Sequence, residues 1–306
     1  MFEGPIVLRA NNMNSLYLRI ASVLMSDIAI ETILANGVKT RELPAFTGVV
    51  NNSYDRIVTL LERKISTRYL AGELCFYLGE SDRLDCINFY SKFWNKVSDD
   101  GVSVNSAYGR RIFYEKTDNN KTQIQYVIDC FLQDRHTRKA VIFISDKRFS
   151  KQSKDNPCTL TLNFLIRDSK LHLIVNMRSN DVWFGFTYDA PFFMFVQEFV
   201  LESLKTFSPN FQNVSMGYYI HQAASMHVYE KDFDKLQRIV NSGPTAIDNN
   251  KFTTMPKLVP EDVLPDGFLP LMIYEHQIRV GGKELVSPDE FTPFQKYIAN
   301  MLKRSK

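Results

Sequence analysis

Asn176-Met177-Arg178-Ser179-Asn180-Asp181-Val182-Trp183-Phe184-Gly185-Phe186-Thr187-Tyr188-Asp189 is the stretch around which this chain is organised. Two apolar runs precede it, Thr159 to Ile166 and Leu171 to Val175. Asp168-Ser169-Lys170 separates them, a spacing that predicts two antiparallel strands joined by a turn. Cys158 stands at the start of the first run, so such a hairpin can bring it close to Arg178. A guanidinium beside a thiol favours the thiolate, which is the nucleophilic form. Arg178-Ser179-Asn180-Asp181 is then a dense set of donors and acceptors at a strand end, suited to holding a phosphate or a heterocycle.

The remainder of the chain bounds what this stretch can do. With 306 residues it can form one large domain or two small ones and bury a substantial core. Hydrophobic residues at 44% and aromatics at 13% are a globular composition rather than a disordered one. A net charge of +3 is too near balance to predict nucleic-acid binding, and it leaves room for a local basic site on an anionic substrate. Cys75, Cys86, Cys130 and Cys158 show no CxxC pairing and do not cluster with histidines at ligand spacings, so no metal is expected. No charged-then-apolar leader opens the chain and no apolar run matches a bilayer span; a reduced cytoplasmic setting, away from membranes, is the expectation.

Periodicity predicts a helix over Asn14 to Asn36, stopped by Asn36-Gly37, and an extended segment over Val38 to Asn52 that carries Arg41 as a solvated charge. Further helices are expected over Thr67 to Leu78 and Asp82 to Val97, the first carrying Glu73 and the second Trp94. By spacing alone Glu73 belongs on a polar stripe and Trp94 in the core. Gln123 to Leu132 suits a helix, and Arg138-Lys139 lead into a strand over Ala140 to Ile144, where adjacent basic residues read as a solvated edge. Lys147 to Asn156 is a polar loop delivering Pro157-Cys158, whereas the other three cysteines fall on helix-like stretches and read as core. Ala190 to Phe207 is an apolar helix. Gly217 to Tyr229 is a strand whose alternation puts His227 and Tyr229 on one face, with His221 structural. From about residue 241 the chain reads as a loop-rich tail punctuated by Gly and Pro and closed by a helix near Thr292 to Leu302; no second domain is expected.

Pro157-Cys158, Arg178-Ser179-x-Asp181, Gly185 and His227-Val228-Tyr229 fall in the order and spacing of the thymidylate synthase family. Within that family the block from Asn176 to Asp189 most resembles the phage deoxycytidylate hydroxymethylases. The resemblance implies an α/β (α+β) fold, a large mixed or antiparallel sheet packed by helices, with a sheet face forming a homodimer interface. It implies a pyrimidine nucleoside monophosphate as substrate and 5,10-methylenetetrahydrofolate as one-carbon donor. Cys158 is then the nucleophile. Glu73, amid Tyr69, Leu70 and Leu74, becomes a proton shuttle in a pocket rather than an exposed carboxylate. Tyr108, in Asn105-Ser106-Ala107-Tyr108-Gly109-Arg110, faces the ring or a water, and Asp181 is both catalytic and folate-binding, beside Trp94 and Gly185.

For the substrate, the resemblance assigns the phosphate to Arg178 and Ser179, and to Arg138 and Lys139 reaching across a dimer interface; a loop arginine of the family, matched here only by Arg41, is a further phosphate ligand set against the default reading of Arg41 as a solvated charge. It assigns the sugar hydroxyl to His227 and Tyr229, places Asn180 among the substrate-binding residues and sets Asp189 against the base. Thymidylate synthases carry asparagine where this chain has Asp189. Cytosine presents an amino donor and an unprotonated ring nitrogen, and a carboxyl group can accept from the first and share a proton with the second. The implied reaction turns dCMP, methylenetetrahydrofolate and water into 5-hydroxymethyl-dCMP and tetrahydrofolate. Alternatives are a thymidylate synthase, a CMP or dUMP hydroxymethylase, and a nucleotide- or RNA-binding protein on the same scaffold. The final Met301-Leu302-Lys303-Arg304-Ser305-Lys306 lacks the apolar character of the tail with which thymidylate synthases cover folate.

Overall fold

The computed structural model describes residues 4–145, 152–247, 254–281 and 285–303. In chain order its elements are β1 (Val7–Ala10), α1 (Met13–Leu24), β2 (Ile30–Ile33), β3 (Lys39–Val50), α2 (Thr67–Leu78), α3 (Leu84–Asn88), α4 (Trp94–Val97), α5 (Gln123–Gln133), β4 (Val141–Phe143), β5 (Thr159–Arg167), β6 (Lys170–Met177), β7 (Asn180–Asp181), α6 (Phe186–Phe207), β8 (Ser215–Tyr229), α7 (Phe233–Ser242), α8 (Pro260–Val263), α9 (Leu269–Val280) and α10 (Pro293–Lys303). The chain divides into two compact units. One comprises Met1–Ile65, Lys170–Gln197 and Met216–Met255; the other comprises Ser66–Ser169, Glu198–Ser215 and Pro256–Lys306.

In the first unit β3 is the organising strand. It takes β1 in parallel on one edge and β8 antiparallel on the other, with β2 as a further antiparallel partner and β6 beyond β8, so the sheet is mixed. α1 starts where the side chain of Asn12 accepts from the Ser15 amide at 2.9 Å, and it buries Met13, Leu16, Tyr17, Ile20 and Leu24. That stripe packs against β1, β3 and α7. The short β7 runs parallel to β8, with Asn180 opposite Met226 and Asp181 opposite His227, which brings two separated sequence motifs side by side.

In the second unit α2 is central. Ser66 caps it by accepting from the Tyr69 amide at 3.1 Å. α9 and α10 pack on it, and nearly all its residues are buried, Glu73 among them. β4 pairs antiparallel with β5, and α5 lies on β4 after a reciprocal cap between Thr122 and Gln125. Among the described residues no helix is long and apolar enough to cross a membrane, and no group of three or more His, Cys, Asp or Glu side chains could hold a metal ion.

The expected strands on either side of Asp168-Ser169 are present, and both turn residues take positive φ, 51° and 53°, the signature of a type I′ turn. Five expectations need correction. The first helix ends at Leu24 rather than Asn36, because Ile30 to Ile33 pair with β3 and Asn36-Gly37 is the hairpin turn between β2 and β3, not a helix stop. The helix expected over Asp82 to Val97 is two short pieces, α3 and α4. α6 begins one turn before Ala190, so Asp189 lies in its first turn and Pro191 inside it. Cys86 is half-buried, whereas Cys75 and Cys130 are core. The tail beyond residue 241 also holds α9, between Pro270 in its first turn and Gly281 at φ 80°. Part of the loop expected over Lys147 to Asn156, residues 147–151, lies outside the described residues.

Candidate active site

The first unit assembles most of the Arg178 to Asp189 block around one buried pair. Asn180 is 3% exposed and donates from Nδ2 to Asp189 Oδ2 at 2.8 Å. Asp189 keeps an exposed edge, but its carboxyl is enclosed. Burial pushes its pKa up to about 7, the negative Asp181 pushes the same way, and the Asn180 hydrogen bond opposes both. Gly185 makes this arrangement possible, since a Cβ there would stand 2.8 Å from Asn180 Nδ2 and 3.3 Å from Asp189 Oδ2. Its lack of a side chain therefore serves the Asn180–Asp189 pair.

Asp181 caps the turn that follows it, its two oxygens accepting from the Trp183 and Phe184 amides at 3.0 and 3.1 Å. Burial raises the Asp181 carboxyl pKa, while those two bonds and the nearby His227 pull it down. Ser179 Oγ lies 3.4 Å from His227 Nδ1, and the His227 ring meets Tyr229 edge-on at 5.1 Å. Arg178 projects outward at the end of β6 and is exposed. His221 is fully buried on β8, where desolvation holds its pKa down near 3 and Nδ1 pairs with the Tyr219 hydroxyl at 2.8 Å; it is a neutral core residue.

Arg63 is a residue of this unit that sequence reasoning missed. Its guanidinium is buried, donates to the Trp183 carbonyl and, at 2.8 Å, to Thr187 Oγ1, and lies 4.5 Å from the Trp183 ring. It thereby clamps the turn between Asp181 and Asp189. Nothing local to Arg63 in the sequence signals this role. Arg41, by contrast, is ion-paired with the exposed Glu31 at 2.9 Å, a solvated surface pair as expected.

In the second unit Glu73 is 6% exposed on α2 and accepts from the Tyr69 hydroxyl at 2.6 Å. That hydroxyl in turn accepts from the Trp94 indole N–H at 3.1 Å, so Trp94, Tyr69 and Glu73 form one buried chain. The carboxylate is pocketed rather than displayed on a polar stripe. Tyr69 was legible only as one of several apolar neighbours, although its place four residues before Glu73 on a helix is the signal that could have found it. With Glu73 as the proton shuttle that the resemblance implies, Tyr69→Phe is expected to lower kcat about 10- to 100-fold while moving the melting temperature by only a few degrees, since one hydroxyl is removed and the ring is kept. Steady-state kinetics and a melt on the same preparation check this.

Tyr108 is buried and stacks on Tyr77 of α2 with ring centroids 5.6 Å apart. The next residue shows why the motif is Tyr-Gly: a Cβ on Gly109 would stand 1.7 Å from the Tyr77 carbonyl oxygen. Gly109→Ala must push α2 away from the Tyr108 turn. It is expected to cost about 3 kcal/mol or more, lowering the melting temperature by about 5 °C or more in a thermal scan.

The segment leading to Cys158 is tied down through Ser153, Lys154 and Asp155. Asp99 accepts from Ser153 Oγ at 2.6 Å and from the Lys154 amide at 2.9 Å. Asp155 accepts from the Ser106 amide at 2.8 Å and from the Ser106 hydroxyl, and burial raises its pKa against those bonds. Cys158 follows three residues later, half-buried at the start of β5. Arg138 and Lys139 are exposed just before β4.

Comparisons with known proteins bear on the family and the fold. The family model described as thymidylate synthase matches residues 20–264. A deoxyuridylate hydroxymethyltransferase of Bacillus phage SP01 is 29% identical over 228 residues, 71% of this chain and 57% of that protein; the match thus spans little more than half of the relative. A deoxycytidylate 5-hydroxymethyltransferase of Enterobacteria phage T2 is 28% identical over 217 residues, 69% of this chain and 84% of the relative. Among solved structures, the thermostable thymidylate synthase A from Bacillus subtilis superposes with a TM-score of 0.58, covering 74% of this chain and 83% of the other, at 18% identity, which speaks to the fold alone. With a family model spanning most of the chain, relatives named as one-carbon transferases and a matching α/β fold, this chain belongs to the thymidylate synthase family.

Proposed function

We propose that this protein is a pyrimidine nucleotide 5-hydroxymethyltransferase whose preferred substrate is dCMP. The observation that carries the choice of base is the enclosed carboxyl of Asp189, whose pKa near 7 lets it hold a transferable proton at neutral pH. Cytosine needs a partner that accepts from its amino group and supplies a proton to ring nitrogen 3, and a carboxylic acid does both. The relatives divide between deoxyuridylate and deoxycytidylate hydroxymethyltransferases, so the base is argued from the side chain and not from their names.

Cys158 is the nucleophile in this reading: its sulfur bonds to ring carbon 6, the double bond between carbons 5 and 6 opens, and the charge that develops is taken up at nitrogen 3 by the Asp189 proton. Carbon 5 is then electron-rich. Methylenetetrahydrofolate supplies a one-carbon unit at the oxidation level of formaldehyde. Carbon 5 bonds to the one-carbon unit, and Glu73, oriented by Tyr69, takes the carbon 5 proton and relays it to the departing tetrahydrofolate nitrogen as the carbon–nitrogen bond breaks. Water adds to the exocyclic methylene so formed, its other proton replacing the one consumed in opening the folate ring, and the thiolate leaves as nitrogen 3 returns its proton to Asp189. Arg178, Ser179, Arg138 and Lys139 are assigned to the phosphate, the last two from the second copy of a homodimer, and His227 and Tyr229 to the 3′ hydroxyl. Asp181 suits the folate, since a carboxylate that accepts two backbone amides retains lone pairs for further N–H donors. Trp94 gives its N–H to Tyr69 and offers ring surface only. The setting is taken to be cytoplasmic, in the host where the source is viral.

The deciding experiment incubates the protein with dCMP, dUMP or CMP and methylenetetrahydrofolate, then weighs the nucleotide and identifies the folate. A gain of one CH2O on dCMP with release of tetrahydrofolate is expected. Appearance of dTMP with dihydrofolate identifies a thymidylate synthase instead, and hydroxymethylation of dUMP in preference to dCMP rejects the role given to Asp189.

A further inference from the structure

Asn180 stands in the middle of the Arg178 to Asp181 motif, where a substrate contact would be the simple assignment. Its geometry argues otherwise. The side chain is buried, its Nδ2 is committed to Asp189 Oδ2 at 2.8 Å, and its Oδ1 is buried with no hydrogen-bond partner. The structure thus sets the amide's nitrogen, and not its oxygen, against the Asp189 carboxyl. Gly185 closes the pair from the other side, with room for no Cβ.

An amide N–H bonds best to the carbonyl oxygen of a neutral acid and poorly to its hydroxyl. We propose that Asn180 is a positioning residue that confines the proton of Asp189 to Oδ1 and so fixes which pyrimidine edge that carboxyl can serve. The proposal rests on the reading of Asp189 as the partner of the base. With the proton free to sit on either oxygen, the acid could satisfy cytosine in one arrangement and uracil in the other. With Oδ2 held as an acceptor, one arrangement is removed. Asn180 thus acts on base choice through Asp189, without touching the nucleotide.

Three groups interact with the Asp189 carboxyl: the Asn180 amide of β7 by a hydrogen bond, and the Asp181 carboxyl of β7 and the buried, His221-bonded Tyr219 hydroxyl of β8 through charge. Of these only the Asn180 bond favours the ionised form, so losing it moves the Asp189 titration to higher pH. Replacing Asn180 by aspartate adds a like charge and moves it further in the same direction.

The test needs no folate. Binding of dCMP and dUMP is measured by calorimetry from mildly acidic to mildly alkaline pH for the native protein, Asn180→Ala, Asn180→Asp and Asp189→Asn. The ratio of the two affinities is followed, so titration of the shared phosphate cancels. In the native protein the preference for dCMP is expected to fall as pH rises through the titration of Asp189. Asn180→Ala should bring the low-pH preference about tenfold nearer to parity and shift the midpoint upward. Asn180→Asp, nearly isosteric and thus an independent check should the alanine variant fold poorly, should shift the midpoint further. Variants that keep the native ratio and midpoint overturn the proposal and leave Asp189 as the base partner, provided that Asp189→Asn abolishes the pH dependence. If Asp189→Asn retains it, the reading beneath the proposal fails.

Discussion

Cys158→Ala is expected to lower kcat on dCMP by about four orders of magnitude or more, with nucleotide affinity within a few-fold of the native value. No other group can open the ring: without a sulfur–carbon bond at carbon 6, carbon 5 of the pyrimidine has no tendency to attack an electrophile. The loss should be almost purely catalytic, because the side chain is small and half-buried, and its truncation should shift stability by about 1 kcal/mol or less. Cys158→Ser should be nearly as inactive, since a hydroxyl is not deprotonated near neutrality. A positive test complements the loss: 5-fluoro-dCMP has no proton at carbon 5 to surrender, so with methylenetetrahydrofolate the native protein should accumulate a covalent adduct visible by intact mass and absent from the alanine variant. Turnover that survives Cys158→Ala would withdraw the covalent mechanism assigned to this sulfur.

Much of the scaffold for this chemistry was legible along the chain, and the remainder was not for identifiable reasons. The strands flanking Asp168-Ser169 show alternation plus turn residues, both local signals, and the extended run from Val38 shows the same. The first helix was overrun because Ile28 and Leu34 continue a helical spacing by coincidence, while pairing of Ile30 to Ile33 with Glu42 to Lys39 is a tertiary fact. α9 carried its punctuation, Pro270 and Gly281, within a stretch whose other prolines and glycines suggested loop throughout. In the candidate site the residue types were readable and their pairings were not. Glu73 is pocketed because α9 and α10 cover α2. Arg63 reaches its acceptor on Trp183 across 120 residues. The Asn180–Asp189 bond requires both the β7 pairing and the Gly185 turn, neither of which periodicity reports.

The second large effect concerns that pair. Asp189→Asn keeps the shape and, with the Asn180 donor holding oxygen at the δ2 position, offers a nitrogen donor where the neutral acid offers its hydroxyl. Ground-state recognition of cytosine should therefore change little. Catalysis should not survive, because an amide can donate a hydrogen bond but cannot hand over its proton as charge develops on ring nitrogen 3. The expected outcome is a fall in kcat on dCMP of about a thousandfold with KM changed by a few-fold at most, while any turnover of dUMP, whose nitrogen 3 is already protonated, falls far less. In the native protein kcat/KM for dCMP should decline above about pH 7 as Asp189 loses its proton, and this alkaline limb should vanish in the variant. Stability provides an independent reading with a definite sign. A carboxyl whose pKa is raised from 3.8 to about 7 by folding contributes stability that is complete below pH 3.8 and is lost as pH rises to about 7. Across that window the native protein should lose roughly 2–4 kcal/mol that Asp189→Asn does not lose, the lower figure allowing for the partial exposure of the residue as a whole. Urea titrations of both proteins at several pH values read this difference directly. Parallel curves would mean that Asp189 is ionised in the folded protein at neutral pH, and with that the proton it is required to give to cytosine disappears.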